Sequence, residues 1–233
     1  HGTVSVLFPY GCGQVSEKDK ACNYKKYEIT TFRADGAYED ARRPSEVKFL
    51  KSLPGDLARR DFTINAMAWH PETGLIDPFK GADDIRAKII RTVGKAEERF
   101  GEDALRMLRA VRFAARLGFT LHEHVLAGMA QNAALILNIS QERIRDELTG
   151  ILMSHKPEML SILMSTGILH YILPELEACY RTQQNNSHHI YNVGEHSLKA
   201  VSYVEKDFVL RWTMLLHDIG KPLTKVTNKR GVD

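Results

Sequence analysis

The sequence predicts an α+β fold, in which an antiparallel or mixed sheet precedes an all-helical region. Three observations carry this. Residues 3–79 hold short runs of β-formers separated by turn residues. From Asp83 onward, apolar residues recur at helical spacing. The strands are grouped first and the helices afterwards, the order of an α+β chain with separate sub-domains.

Taken in order, Thr3–Phe8 alternates as a strand, with Val4, Val6 and Phe8 on one side. Tyr27–Arg33 is rich in β-formers and completes an antiparallel hairpin with an enlarged loop. Ala34–Ser45 is polar, Gly- and Arg-rich and aperiodic, which predicts a mobile loop. Ser52 is placed to cap a short helix over Pro54–Arg60. Asn65–Trp69 and Gly74–Phe79, joined by His70-Pro71-Glu72-Thr73, predict a second hairpin. Glu102–Leu117 predicts one long helix stopped by Gly118. Further helices are expected at about 122–137, 141–154, 157–165, 193–205 and 208–216, with Ser140 as an N-cap.

Composition limits the function classes. With 43% hydrophobic and 26% charged residues, the chain is neither low-complexity nor disordered. No run approaches the ~18 apolar residues of a membrane span, and His1-Gly2-Thr3-Val4 does not open like a secretory signal. Three cysteines (Cys12, Cys22, Cys179) without C-x-x-C spacing make neither a disulfide framework nor a zinc ribbon, so the expected setting is cytoplasmic. The net charge is only +3, yet residues 85–116 alone carry nine Lys/Arg against four acids. Such a stripe is either a phosphate footprint or a solvated helix face.

Four groups of residues can carry chemistry. Asp61 and Asn65 share one face in either a strand or a helix, suited to a ribose hydroxyl, with Arg59 and Arg60 beside them for a triphosphate. The alternative is an Asp–Arg pair and a turn asparagine. Asp103 and Arg106, three apart, place an acceptor beside a donor. Cytosine and adenine each present an amine donor beside a ring-nitrogen acceptor, whereas uracil and guanine present a carbonyl beside a ring N–H. The pair therefore selects C and A, by the edge logic of base readout; the alternative is a stabilising ion pair. Glu28, mid-strand, matters only as one of several oxygen ligands to Mg²⁺. His196, His217 and Asp218, with His188 and His189 nearby, are either metal ligands or hydrogen-bonded histidines of a helical bundle.

These stretches resemble the bacterial-type CCA tRNA nucleotidyltransferases, which share a superfamily with bacterial poly(A) polymerase. The resemblance runs through Tyr27-Glu28-Ile29-Thr30-Thr31-Phe32-Arg33, Arg42-Arg43-Pro44, Asp56 to Met67, Ile76-Asp77-Pro78-Phe79 and Arg99 to Ala114. Glu142-Arg143 and Glu147 resemble a further element of the family, and Leu216-His217-Asp218-Ile219-Gly220-Lys221-Pro222 resembles an appended HD domain. The resemblance implies a partial nucleotidyltransferase palm over residues 1–93, a helical neck over 94–155, and a helical body with the start of an HD domain over 156–233. It implies addition of CCA to tRNA 3′ ends from CTP and ATP, with Mg²⁺ and release of pyrophosphate. Glu28 matches the accessory catalytic carboxylate. Arg60, Asp61 and Asn65 match the ribose and phosphate motif, and Asp103 and Arg106 the base template, with Arg109 beside them. Arg109, Arg112 and Arg143 are the expected RNA contacts.

The family's Asp-x-Asp metal pair would lie upstream of His1. The expectation is therefore a fragment, inactive alone in nucleotide addition and prone to associate through an exposed sheet edge. The other functions to be weighed are a poly(A) polymerase, an HD-type phosphohydrolase and an inactive RNA-binding remnant.

Overall fold

A computed structural model describes residues 3–10, 23–35, 47–49, 51–184 and 190–225. Cys12, Cys22, residues 36–45 of the expected loop, His188 and His189 lie outside the described residues.

Strand β1 (Thr3–Tyr10) pairs antiparallel with β2 (Asn23–Thr30), Ser5 standing opposite Glu28. The second strand thus begins before the expected Tyr27 and stops at Thr30. Val4, Leu7, Phe8, Tyr24, Tyr27 and Ile29 are exposed, so this hairpin stands off the main core. Strands β3 (Arg33–Asp35) and β4 (Val47–Phe49) also pair antiparallel. The segment expected as loop from Ala34 therefore begins as a strand.

Helix α1 (Leu53–Ala58) has proline in its first turn, but Ser52 makes no side-chain capping bond. The expected strand at Asn65 is instead a 3-10 turn, Thr63–Asn65, where Thr63 is held from the side by Asp84 and by the Arg91 carbonyl just after Ile90. Hairpin β5 (Ala68–His70) and β6 (Gly74–Ile76) follows, Gly74 taking a φ of +74° at the turn. Helix α2 (Gly81–Ala87) starts where Asp77 accepts the N–H groups of Gly81 and Ala82, both at 2.8 Å. Only glycine fits at 81, since a Cβ there would stand 2.2 Å from the Thr63 carbonyl oxygen.

Strand β7 (Ile89–Ile90) is paired in parallel by β8 (Thr120–Leu121), which brackets helices α3 (Ala96–Glu102) and α4 (Leu105–Leu117). The single helix expected over Glu102–Leu117 is thus broken. Asp103 is extended (φ −146°, ψ 104°), and its carboxylate accepts the Leu105 N–H at 3.0 Å. A short acidic side chain that bonds the backbone competes with helix continuation, which is the physical reason for the break. Gly118 ends α4 in the left-handed region, as expected.

Helix α5 (Glu123–Asn132) runs into a 3-10 turn over Ala133–Asn138, and α6 (Gln141–Leu152) starts without a Ser140 side-chain bond. Beyond a 3-10 turn at Pro157–Leu160 come α7 (Ser161–Ser165), α8 (Leu169–Ile172) and α9 (Pro174–Arg181). Helix α10 (Val193–Tyr203) opens with a capping box of Asn192 and Glu195, followed by α11 (Phe208–Leu216) and α12 (Lys221–Thr224). One continuous apolar core runs from Phe62 and Phe100 through Met107, Leu108 and Val111 of α4 to Leu215 of α11. Helix α4 lies across it, packed on α6. Among the described residues no helix is long and apolar enough to cross a membrane.

Candidate nucleotide-binding pocket

The turn after α1, the α3–α4 break and the first turn of α6 converge on one open pocket of about 480 Å³. It is lined by Arg59, Arg60, Asp61, Asn65, Asp103, Arg106, Arg109 and Arg143. Every residue named above for nucleotide contact lines it. Arg59, expected with Arg60 beside a triphosphate, lines it too. Five arginines against two aspartates make a strongly electropositive wall, the complement of a polyphosphate.

Asp61 is held from α4. Its Oδ2 accepts Nε–H and Nη2–H of Arg109 at 2.9 and 2.7 Å, and its Oδ1 accepts the Phe62 N–H at 2.9 Å. Arg60 donates to the Asn65 carbonyl at 3.3 Å and to Asp56 Oδ2 at 3.2 Å. Asp56 is buried behind the pocket and also takes two bonds from Arg59.

The supposed Asp103–Arg106 ion pair does not form. Arg106 is 8% exposed and donates to Glu102 Oε2 at 2.5 Å, to the Arg99 carbonyl at 3.1 Å and to the Arg59 carbonyl at 3.4 Å. Asp103 Oδ2 instead meets Arg143 of α6 at 3.3 Å. The backbone break turns Asp103 away from the helical i, i+3 position, so the two side chains face the pocket separately. Glu102 was the missed partner; its i, i+4 spacing to Arg106 was the available signal.

Two expected roles change. Arg112 is mostly enclosed: it donates to Glu147 Oε2 at 2.5 Å and lies over the Phe113 ring, 4.6 Å from its centroid. The basic stripe is thus partly an internal tie between α4 and α6. Glu28 does not line the pocket; its carboxylate is exposed on β2 and takes a 2.6 Å bond from Lys26. That hydrogen bond, and then the lysine charge, hold its pKa below the usual glutamate value. Among the described residues no carboxylate cluster forms around Glu28, so the residues present do not build a Mg²⁺ site there.

A second cluster lies between α10 and the end of α11. One ligand atom each from His196, His217 and Asp218 falls within 4.8 Å of the others. His217 Nδ1 is 2.9 Å from the Met214 carbonyl, which turns its Nε2 to Asp218 at 3.2 Å. Lys221 also reaches Asp218 Oδ2, at 2.7 Å. Behind it, Cys179 is pushed up in pKa by burial and then by the Asp218 charge.

Residues 12–91 match the family model described as the poly A polymerase head domain, and residues 118–180 match the probable RNA and SrmB-binding site of polymerase A. The chain belongs to the poly(A) polymerase and CCA-adding enzyme family. A CCA-adding enzyme of Geobacillus kaustophilus is 51% identical over 153 residues, covering 65% of this chain and 38% of that protein. That of Geobacillus stearothermophilus is 47% identical over 171 residues, covering 73% of this chain and 41% of that protein. The structure of the Bacillus stearothermophilus CCA-adding enzyme in complex with CTP aligns with a TM-score of 0.70 and 36% identity, covering 94% of this chain and 47% of that one. A tRNA nucleotidyltransferase complexed with a primer tRNA and an incoming ATP analog aligns with a TM-score of 0.57 and 28% identity, covering 84% of this chain and 57% of that one. The chain spans about two fifths of the length of the curated CCA-adding relatives named here.

Proposed function

We propose that this chain forms the nucleotide-selecting part of an enzyme that adds CCA to tRNA 3′ ends, taking CTP and ATP and releasing pyrophosphate. The observation that carries this is the convergence of Asp61, Asn65, Asp103 and Arg106 with four further arginines in one pocket of about 480 Å³. Asp103 accepts the exocyclic amine of cytosine or adenine through lone pairs left free by Leu105 and Arg143. Arg106 donates to the ring nitrogen. A guanidinium has five N–H donors; Glu102 and two carbonyls take three. Asn65, whose carboxamide makes no bond among the described residues, and Asp61 meet the ribose, while Arg59, Arg60 and Arg109 meet the phosphates. Arg143, a third of whose side chain is exposed, stands where a tRNA end entering the pocket would pass.

Mg²⁺, where bound, would neutralise the triphosphate and activate the primer hydroxyl. Glu28 alone cannot hold it. The neck and body would hold tRNA by backbone and shape.

The test is binding of all four nucleoside triphosphates by calorimetry. CTP and ATP are expected to bind, UTP and GTP at least tenfold more weakly; Asp103→Ala should weaken CTP and ATP by about 10- to 100-fold, as loss of a charge-assisted bond worth about 1.5–3 kcal/mol requires. Equal binding of all four would refute base selection, and binding of ATP without CTP would favour a poly(A) polymerase.

The clustering of His196, His217 and Asp218 favours a second reading, a divalent-metal site of an HD-type phosphohydrolase. Lys221 stands where a cation would approach Asp218, so little metal is expected to bind. Lys221→Met should then raise Mn²⁺ affinity by about tenfold, measured by calorimetry, if like-charge repulsion of about 1.4 kcal/mol is removed. No change would show that the lysine is not the obstacle.

A further inference from the structure

Thr63 occupies the turn between Asp61 and Asn65 and is 3% exposed. Its hydroxyl donates to Asp84 Oδ2 at 2.7 Å, and its N–H donates to the Arg91 carbonyl at 2.9 Å. Arg91 closes the ring by donating Nε–H to both Asp84 oxygens at 3.2 Å. The Val93 N–H then donates to the Asp61 carbonyl at 3.1 Å. Asp84 is 6% exposed, and neither it, Thr63 nor Arg91 lines the pocket.

The consequence is geometric. Were 61–65 to continue as an extended strand, the Cα atoms of Asp61 and Asn65 would stand about 13 Å apart, at about 3.3 Å per residue. That spacing is too wide for two short side chains to reach the neighbouring hydroxyls of one ribose. The 3-10 turn over Thr63–Asn65 shortens that spacing, and Asp84, reaching in from α2 to the Thr63 hydroxyl, holds the segment just where it leaves its antiparallel bridge between Phe62 and Thr92.

We propose that the Asp84–Thr63 clamp sets the sugar specificity of this pocket, Thr63 and Asp84 acting as positioning residues that space Asp61 and Asn65 for a ribose diol. The inference rests on the reading that Asp61 and Asn65 meet the ribose. It gives the buried aspartate of α2 a role in selecting ribonucleotides over deoxyribonucleotides.

The experiment compares CTP, UTP and 2′-deoxy-CTP binding to the whole chain by calorimetry. The unaltered protein is expected to favour CTP over 2′-deoxy-CTP by about tenfold, the worth of a bond to a charged group. Thr63→Val should bring that ratio near one and leave the CTP-to-UTP ratio, set by Asp103 and Arg106, unchanged; Thr63→Ser should restore it. Should Thr63→Val fail to fold, Asp84→Asn, which keeps the side-chain volume, is expected to lose the same preference. A variant that weakens all three nucleotides equally, or keeps the sugar preference, overturns the clamp. If the unaltered protein does not discriminate the sugars, or Asp61→Asn leaves the preference intact, the ribose reading itself fails and the clamp with it.

Discussion

Asp56 keeps its charge in a place that burial disfavours. Desolvation pushes its pKa up, but hydrogen bonds from Arg59, the Arg33 N–H and Arg60, with the charge of Arg59, outweigh it and hold the carboxyl below the ordinary aspartate value. A depressed folded-state pKa contributes stability that is present above the unfolded value, near pH 4, and is lost as pH falls through the folded value. Asp56→Asn should therefore lower the melting temperature at pH 7, by an amount equivalent to about 2 kcal/mol, and flatten the loss of stability below pH 4. An unaltered acid limb in thermal melts from pH 2 to 7 would remove Asp56 from this role. The same side chain fixes Arg59 and Arg60 at the pocket wall, so electrostatic stability and phosphate affinity are linked at one residue. In the sequence Asp56 stood out only as the first residue of the stretch that resembles the family, because nothing in the sequence says that position 56 is enclosed.

Helices α4 and α6 show how an element can look like one thing and be another. The arginines at 109, 112 and 116 give α4 a basic stripe in sequence, yet Arg109 gives two of its N–H groups to Asp61 and Arg112 is paired with Glu147. Gly150 of α6 lies so close that a Cβ there would meet Arg112 Cδ at 2.4 Å. Arg112 thus crosses the α4–α6 interface with its stem packed and its charge paired, an arrangement that contributes through packing as well as charge. Arg112→Gln is expected to cost about 1–2 kcal/mol of stability and to leave the salt dependence of tRNA binding unchanged. A drop of about one in the log–log salt slope would instead return Arg112 to the RNA surface. The helix break at Asp103 was likewise hidden: Glu102–Leu117 has good helical spacing throughout, and only the competition of the Asp103 carboxylate for the Leu105 N–H divides it.

At the scale of the molecule, the β1–β2 hairpin differs from the rest. Its apolar side chains are exposed along the hairpin, and among the described strands each pairs only with the other. Unpaired edges beside exposed Val4, Leu7 and Ile29 favour strand addition by a second copy. Sedimentation should show concentration-dependent self-association, suppressed by Leu7→Lys. A monomer at all concentrations would show that the edge is protected. In the same preparation, CTP-dependent extension of a tRNA lacking its terminal CCA is not expected, because Glu28 is bonded to Lys26 and belongs to no cluster of three or more possible metal ligands among the described residues. Measurable extension would refute that expectation.

What the sequence determined by itself was the order of strands before helices, the β1–β2 hairpin, the Gly118 stop and the identity of the residues in the pocket. Each of these is written in local spacing or in a motif whose residues are close along the chain. Only the tertiary structure decided which charges are free and which are paired. Asp103 turns to Arg143 forty residues on, Asp61 to Arg109 and Arg112 to Glu147, while the Thr63 hydroxyl is taken by Asp84 twenty-one residues on. The physical reason is that a charged side chain takes the partner that enclosure by the fold brings within hydrogen-bond reach, and that enclosure is set by the core under α4, not by neighbours in sequence.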